Sequence, residues 1–136
     1  MIAAAVVSAL DIRPACAGDQ AFVAATFAEQ LSRGHHSDAN QIVDRVLDST
    51  QTRVLVACDG GRILGWLAYS AIPRVRAVLF VYVRRQARNQ GVARELADAA
   101  WPSGTGTWVH GGLRGGSTRE LLERFTALAM PIEDLI

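Results

Sequence analysis

Arg84-Arg85-Gln86-Ala87-Arg88-Asn89-Gln90-Gly91-Val92-Ala93-Arg94 is the stretch that decides how the rest of the chain is read. It follows the apolar run Ala77-Val78-Leu79-Phe80-Val81-Tyr82-Val83 and opens a helical pattern in Val92, Leu96, Ala97 and Ala100. An apolar run without alternation reads as a strand buried on both faces, so the order is strand, basic glycine-containing loop, helix. The first amides of a helix have no intrahelical partner and lie at the positive end of its dipole, which attracts phosphate. Arg84, Arg85, Arg88 and Arg94 all fall in the loop, and the first acidic residue, Glu95, comes only after them. A helix start without a carboxylate of its own leaves that place for a bound anion.

Towards the N-terminus, the apolar stretches 53–58 and 63–69 flank Asp59-Gly60-Gly61-Arg62, a hairpin signal because glycine takes positive φ at little cost. Pro73 interrupts the connection from this hairpin to the buried strand. Before the hairpin, Ile42, Val43, Val46 and Leu47 share one side of a helix over 39–47, and Phe22, Val23, Phe27 and Leu31 follow helical spacing in an earlier helix capped by Asp19. Arg33-Gly34-His35-His36-Ser37 separates the two helices, and a first strand over 10–13 stops at Pro14. Residues 1–10 resemble the apolar core of a signal peptide, yet they lack a basic leader and run directly into Asp11-Ile12-Arg13-Pro14. They read as the approach to the first strand. No apolar run reaches membrane-spanning length, and a soluble, cytoplasmic protein is the expectation.

Towards the C-terminus, Pro102 and Gly104 stop the helix near Trp101. A fifth strand over 105–110 leads to the glycine loop Gly111-Gly112-Leu113-Arg114-Gly115-Gly116. Ser117-Thr118-Arg119-Glu120 is a capping box, and the helix it starts carries Leu121, Leu122, Phe125 and Leu128 inward. Residues 130–136 leave room for one short strand.

With 136 residues and 50% apolar content, the chain reads as a single domain spanning 1–136 that buries a proper core. The net charge of +1 does not mark a nucleic-acid binder, and the positive charge is concentrated at the loop. Cys16 and Cys58 fit no metal or redox spacing and read as buried free thiols in a reducing compartment. His35, His36 and His110 lack a spaced Cys or carboxylate partner, so no metal site is expected.

Arg88-Asn89-Gln90-Gly91-Val92-Ala93 has the form Arg/Gln-x-x-Gly-x-Gly/Ala and resembles the acetyl-coenzyme A loop of the GNAT N-acetyltransferase superfamily. The element order β-α-α-β-β-β-α-β-α-(β), an α/β fold on a mixed sheet, resembles that superfamily over nearly the whole chain. The family closes with two further strands where this chain has residues for one, so it resembles a short member with a reduced C-terminal edge. An edge left bare in this way gives reason to expect a homodimer.

The resemblance implies acetyl-CoA as cofactor and acyl transfer to an amine. It implies that the backbone of Val81, Tyr82 and Val83 binds the pantetheine arm. It further implies that the amides of Arg88, Asn89, Gln90, Gly91, Val92, Ala93 and Arg94 cradle the pyrophosphate. Arg84, Arg85 and Arg88 are expected to pair with the adenosine 3′-phosphate or to focus the field. The paired early helices line the acceptor side.

Transfer to an amine needs a base for the incoming ammonium and an acid for the departing thiolate. The family's Tyr on the last helix aligns with Phe125, which has no proton to give. Tyr82 and His110 are the catalytic candidates, with Tyr69 behind them. Each tyrosine reads equally well as a core aromatic, and His110 as a structural strand histidine. His35-His36 touch the acceptor or are simply solvated. Two other classes stay open. One is a GNAT-like binding or regulatory protein, viral for example, that has lost the chemistry. The other is a small nucleic-acid binder using the arginine loop, disfavoured by the near-neutral charge and by the strand that precedes the helix.

Overall fold

Leu10 leads into β1 (Asp11–Pro14), and a 3-10 turn (Ala17–Asp19) follows it into α1 (Gln20–Arg33) and α2 (Ala39–Asp48). The chain then lays down β2 (Thr52–Asp59), β3 (Arg62–Ser70) and β4 (Val75–Val83). A second 3-10 turn (Arg85–Ala87) precedes α3 (Val92–Ala100), and β5 (Thr107–His110) and β6 (Ala127–Ala129) follow. The computed structural model describes residues 10–34, 36–71, 75–101, 107–110, 113, 127–129 and 135–136. The capping box at Ser117, Phe125 and nearly all of the glycine loop lie outside the described residues.

One sheet holds all these strands in the order β1-β2-β3-β4-β5-β6, antiparallel from β1 to β4 and parallel from β4 to β6. The β2–β3 hairpin turns on Gly60 at φ +58° and Gly61 at φ +84°, as its glycines require. The expected mixed α/β fold is present, with one shift at the end. Leu128, expected on the last helix, lies in β6, where Val109 is its register partner. The helical propensity of Ala127-Leu128-Ala129 gives way to main-chain pairing along β5.

The core has two layers. Against one face of the sheet, α1 and α2 bury Val23, Phe27, Leu31, Val43 and Val46 on Val56, Trp66, Ala68 and Phe80. The Phe27 ring lies 4.7 Å from Phe80 and 5.3 Å from Trp66, centroid to centroid. Trp66 is wholly buried, and its Nε1 donates to the Thr26 hydroxyl at 2.8 Å, so burial leaves no orphan donor. Burying a side chain of this size stabilises the fold by about 1.5–3 kcal/mol. Against the other face, α3 sets Val92, Leu96 and Ala97 on Ala57, Leu67, Val78 and Val81.

The feature that positions the site is a bulge in β4. Phe80 lies opposite Ala68 and Val78 opposite Tyr69, so Leu79 is an extra residue on the β4 side. Leu79 and Phe80 both enter the α1–α2 core, and alternation then resumes, with Val81 and Val83 towards α3 and Tyr82 towards α1. A bulge bends its strand and increases the local twist. β5 follows β4 only as far as the pair Val78↔His110. Past the bulge, β4 runs on to Val83, and among the described residues no strand accompanies it on the β5 side.

Candidate functional site

The loop after β4 is built on two left-handed residues, Asn89 at φ +64° and Gly91 at φ +84°. Asn is one of the few residues with a side chain that tolerates this region, and Gly visits it without penalty. Gly91 is the N-cap of α3, and no side chain caps the helix. The first helical bond runs from the Glu95 amide to the Gly91 carbonyl at 2.9 Å. The amides of Val92, Ala93 and Arg94 therefore precede the ladder and point out of the helix start. A Cβ built on Gly91 meets no protein atom within 4 Å. The glycine is thus required for its conformation, and the space in front of the α3 amides is open. Glu95 proves to lie inside the first helical turn, closer to the dipole's positive end than its position after the arginines suggests. It is exposed and makes no cap.

The arginines divide. Arg85 and Arg94 are exposed, and Arg88 is half-buried with its Nε donating to the Val83 carbonyl at 3.0 Å, which ties the loop to the end of β4. Arg84 turns to the opposite face. Its amide donates to the Leu64 carbonyl at 2.7 Å, its Nε to the Ile63 carbonyl at 2.5 Å, and its guanidinium lies 4.5 Å from the centre of the Phe22 ring on α1. Of the three arginines expected near a phosphate, Arg84 is the one whose side chain turns to the α1 side, away from the α3 start.

Tyr82 and His110 do not come together. Tyr82 is half-buried on the α1 side, 6.2 Å from both Phe22 and Trp66 by ring centroids. His110 is 5% exposed at the end of β5, and its register partner Val78 belongs to the α3-side cluster. Residues in register share a face of the pleat, so the bulge and the sheet stand between the two candidates. Tyr69 is more remote still, packed edge-on against Trp101 at 5.3 Å. His36 is half-buried, and its amide donates to the Leu31 carbonyl, which closes the end of α1.

One residue that positions the site was not read from the sequence. Gly65 in β3 lies opposite Val83, and a Cβ there would come within 2.6 Å of the Tyr82 carbonyl and 3.3 Å of Val83 Cα. Only glycine lets β3 approach β4 this closely, just where β4 walls the opening. A lone glycine inside the apolar run 63–69 is the signal that marks it.

Elsewhere, Asp19 does not cap α1 through its side chain. Its carboxylate turns back to accept from both terminal nitrogens of Arg13, at 2.7 and 3.2 Å, and from the Cys16 amide at 2.8 Å. These bonds, led by the one from Arg13, hold the Asp19 carboxyl well below the usual carboxylate range. Burial pushes the Cys58 thiol up from its ordinary value, whereas Cys16, expected to be buried, is exposed beside the turn into α1, and neither is in a disulfide. A cleft of about 210 Å³ lined by Pro14, Gln20, Val23, Leu47 and Thr52 lies at the other end of the sheet, away from the α3 loop. Among the described residues no group of His, Cys, Asp or Glu is arranged to hold a metal ion, and no helix is long and apolar enough to cross a membrane.

Comparison with solved structures finds this architecture in several acetyltransferases. A ribosomal-protein-alanine N-acetyltransferase from Brucella melitensis biovar Abortus 2308 is 20% identical, with a TM-score of 0.59 over 85% of this chain and 90% of that one. The aminoglycoside N-acetyltransferase AAC(6')-Iy, solved in complex with CoA, is 19% identical, with a TM-score of 0.57 over 85% of this chain and 82% of its own. The PaiA N-acetyltransferase of Thermoplasma acidophilum, also in complex with coenzyme A, is 13% identical, with a TM-score of 0.51 over 69% and 70%. No curated protein matches the chain in sequence. The sequence profile of the Acetyltransferase (GNAT) family matches residues 21–101, from α1 through the arginine-rich loop before α3 to the end of that helix. Because that match spans more than half of the residues, this chain belongs to the GNAT acetyltransferase family.

Proposed function

We propose that the protein is an acetyl-CoA-dependent N-acetyltransferase acting on an amine. The observation that carries the reading is that, among the described residues, β4 has no partner on the β5 side beyond the pair Val78↔His110, past the Leu79 bulge and beside an α3 start with no side-chain cap. The residues present fit the cofactor. The open space in front of Gly91 admits a phosphate to the Val92, Ala93 and Arg94 amides, and the loop residues Arg88, Asn89 and Gln90 complete the cradle. Exposed Arg85 and Arg94 add positive charge around it. The β4 edge at Val81, Tyr82 and Val83 offers main-chain groups to an extended arm. Bound acetyl-CoA supplies a thioester whose carbonyl carbon is open to attack by an amine.

Among the chain's own groups, His110 stands at the last rung before the strands part, which is where an arm laid along β4 from the loop would end. It is the candidate to hold a proton for the departing sulfur, and Tyr82 is the candidate to orient the acceptor from the α1 side. The free thiols of Cys16 and Cys58 favour a reducing, cytoplasmic setting for this single domain. Among the described residues β1 and β6 are the sheet's two edges, and the short β6 is where a homodimer would add strands.

Calorimetric titration of acetyl-CoA tests the reading. The wild type binds, and Gly91→Trp, which places a bulky ring in the phosphate space, abolishes binding without unfolding the protein. His110→Gln keeps acetyl-CoA affinity and lowers kcat by about 100-fold or more. Equal affinity in wild type and Gly91→Trp contradicts the cradle, and an unchanged kcat in His110→Gln removes that residue from the chemistry.

A further inference from the structure

Arg84 differs from its neighbours in the loop. On the face of the sheet away from α3, it follows Tyr82 by two residues, about 7 Å along an extended chain. Its Nε is committed to the Ile63 carbonyl and its amide to the Leu64 carbonyl, while its Cζ lies over the Phe22 ring. Among the described residues, the terminal nitrogens Nη1 and Nη2 have no such partner. No Asp or Glu pairs with Arg84 among the described residues. A guanidinium stacked on a ring and pinned through Nε has lost much of its rotamer freedom already, so a ligand taking the remaining fork does not bear that cost again. Two parallel N–H donors in a fixed plane match a carboxylate.

The face on which Arg84 stands separates it from the phosphate cradle. Val92, Ala93 and Arg94 present their amides at the start of α3, whereas Phe22, Tyr82 and Arg84 bound the opening from the α1 side. A thioester lying along the open edge of β4 must be attacked from off the plane of the sheet, and α3 covers the other face. The acceptor therefore comes past Phe22 and Tyr82, within reach of Arg84. We infer that Arg84 binds an anionic group of the acceptor, so that the amine this protein acetylates carries a carboxylate a few bonds away, as a free amino acid does. The inference rests on the acetyltransferase reading above and names the substrate class of that same site.

The experiment compares free amino acids with the corresponding amino acid amides as acceptors, following release of the CoA thiol, after acetyl-CoA binding has been measured separately. The expected result is that the acids exceed the amides in kcat/KM by about 10- to 100-fold, the range of a charge-assisted pair. Arg84→Gln brings the acid-to-amide ratio close to one by raising KM for the acids, and Arg84→Lys, which keeps the charge and loses the fork, restores part of it. Thermal unfolding of both variants shows whether the contact with Phe22 alone accounts for the change. Equal turnover of both series, preference for the amides, or turnover of neither overturns the assignment. A loss of CoA affinity in Arg84→Gln that is absent for dephospho-CoA also overturns it, by making Arg84 a ligand of the cofactor's 3′-phosphate. Failure of the wild type to bind acetyl-CoA overturns the acetyltransferase reading itself, and the inference falls with it.

Discussion

Asp19 is only 7% exposed, yet it is charged, and Arg13 keeps it so. Its pKa is lowered in the folded chain, chiefly by the Arg13 hydrogen bonds and then by the Cys16 amide. A carboxylate whose folded pKa lies below its unfolded value near 3.9 contributes stability that is fully present above that value. The contribution is lost as the pH falls through the lower folded value. Asp19→Asn is accordingly expected to cost about 1–2 kcal/mol at pH 7, and the gap from wild type narrows below about pH 4. Urea unfolding at neutral and acid pH measures both. An equal gap at the two pH values would mean that Asp19 acts through packing and not through its charge. At this scale the sequence placed Asp19 at the start of α1 correctly but not its partner. The cap geometry is local, whereas the Arg13 fork reaches it from the preceding strand.

At the scale of elements, β4 carries the account. Its burial and its place before the loop were legible in the run 77–83, because a strand covered on both faces needs apolar residues throughout. The bulge at Leu79 was not legible, since Leu and Phe suit either alternation and the extra residue exists only relative to the register of β3. Gly65 was hidden for the same reason: its necessity comes from the Tyr82 carbonyl on the neighbouring strand. Gly65→Ala forces β3 and β4 apart beside the opening and is expected to destabilise the protein by about 1–3 kcal/mol. The measurement is the midpoint of thermal or urea unfolding, and a stability equal to wild type would show that the strands yield there without cost. α1 and α2 were readable from helical spacing, and Val23, Phe27, Leu31, Val43 and Val46 are indeed their buried side. β6 was not, because Ala127-Leu128-Ala129 favours helix locally and only the β5 edge makes it a strand.

For the molecule as a whole, the described residues place α1 and α2 on one face of the sheet and α3 on the other, and the described β4–β5 pairing ends at Val78↔His110. The loop before α3 was the part of the candidate site most visible in the sequence, since an uncapped helix start and clustered arginine leave a local trace around Arg88 and Gly91. The end of the β4–β5 pairing at Val78↔His110 left none, because it depends on the register of one strand on another. The turning of Arg84 away from the loop likewise depends on Phe22 and Ile63, both remote in the chain. The central claim is that the β4 edge past Val78 and the α3 start together seat acetyl-CoA. Amide hydrogen exchange with and without acetyl-CoA tests it most directly. The account predicts new protection at residues 79–83 and 88–94, with the β1–β2 side of the sheet unchanged. Protection confined to the cleft around Pro14, Gln20 and Thr52, or no protection at all, would contradict it.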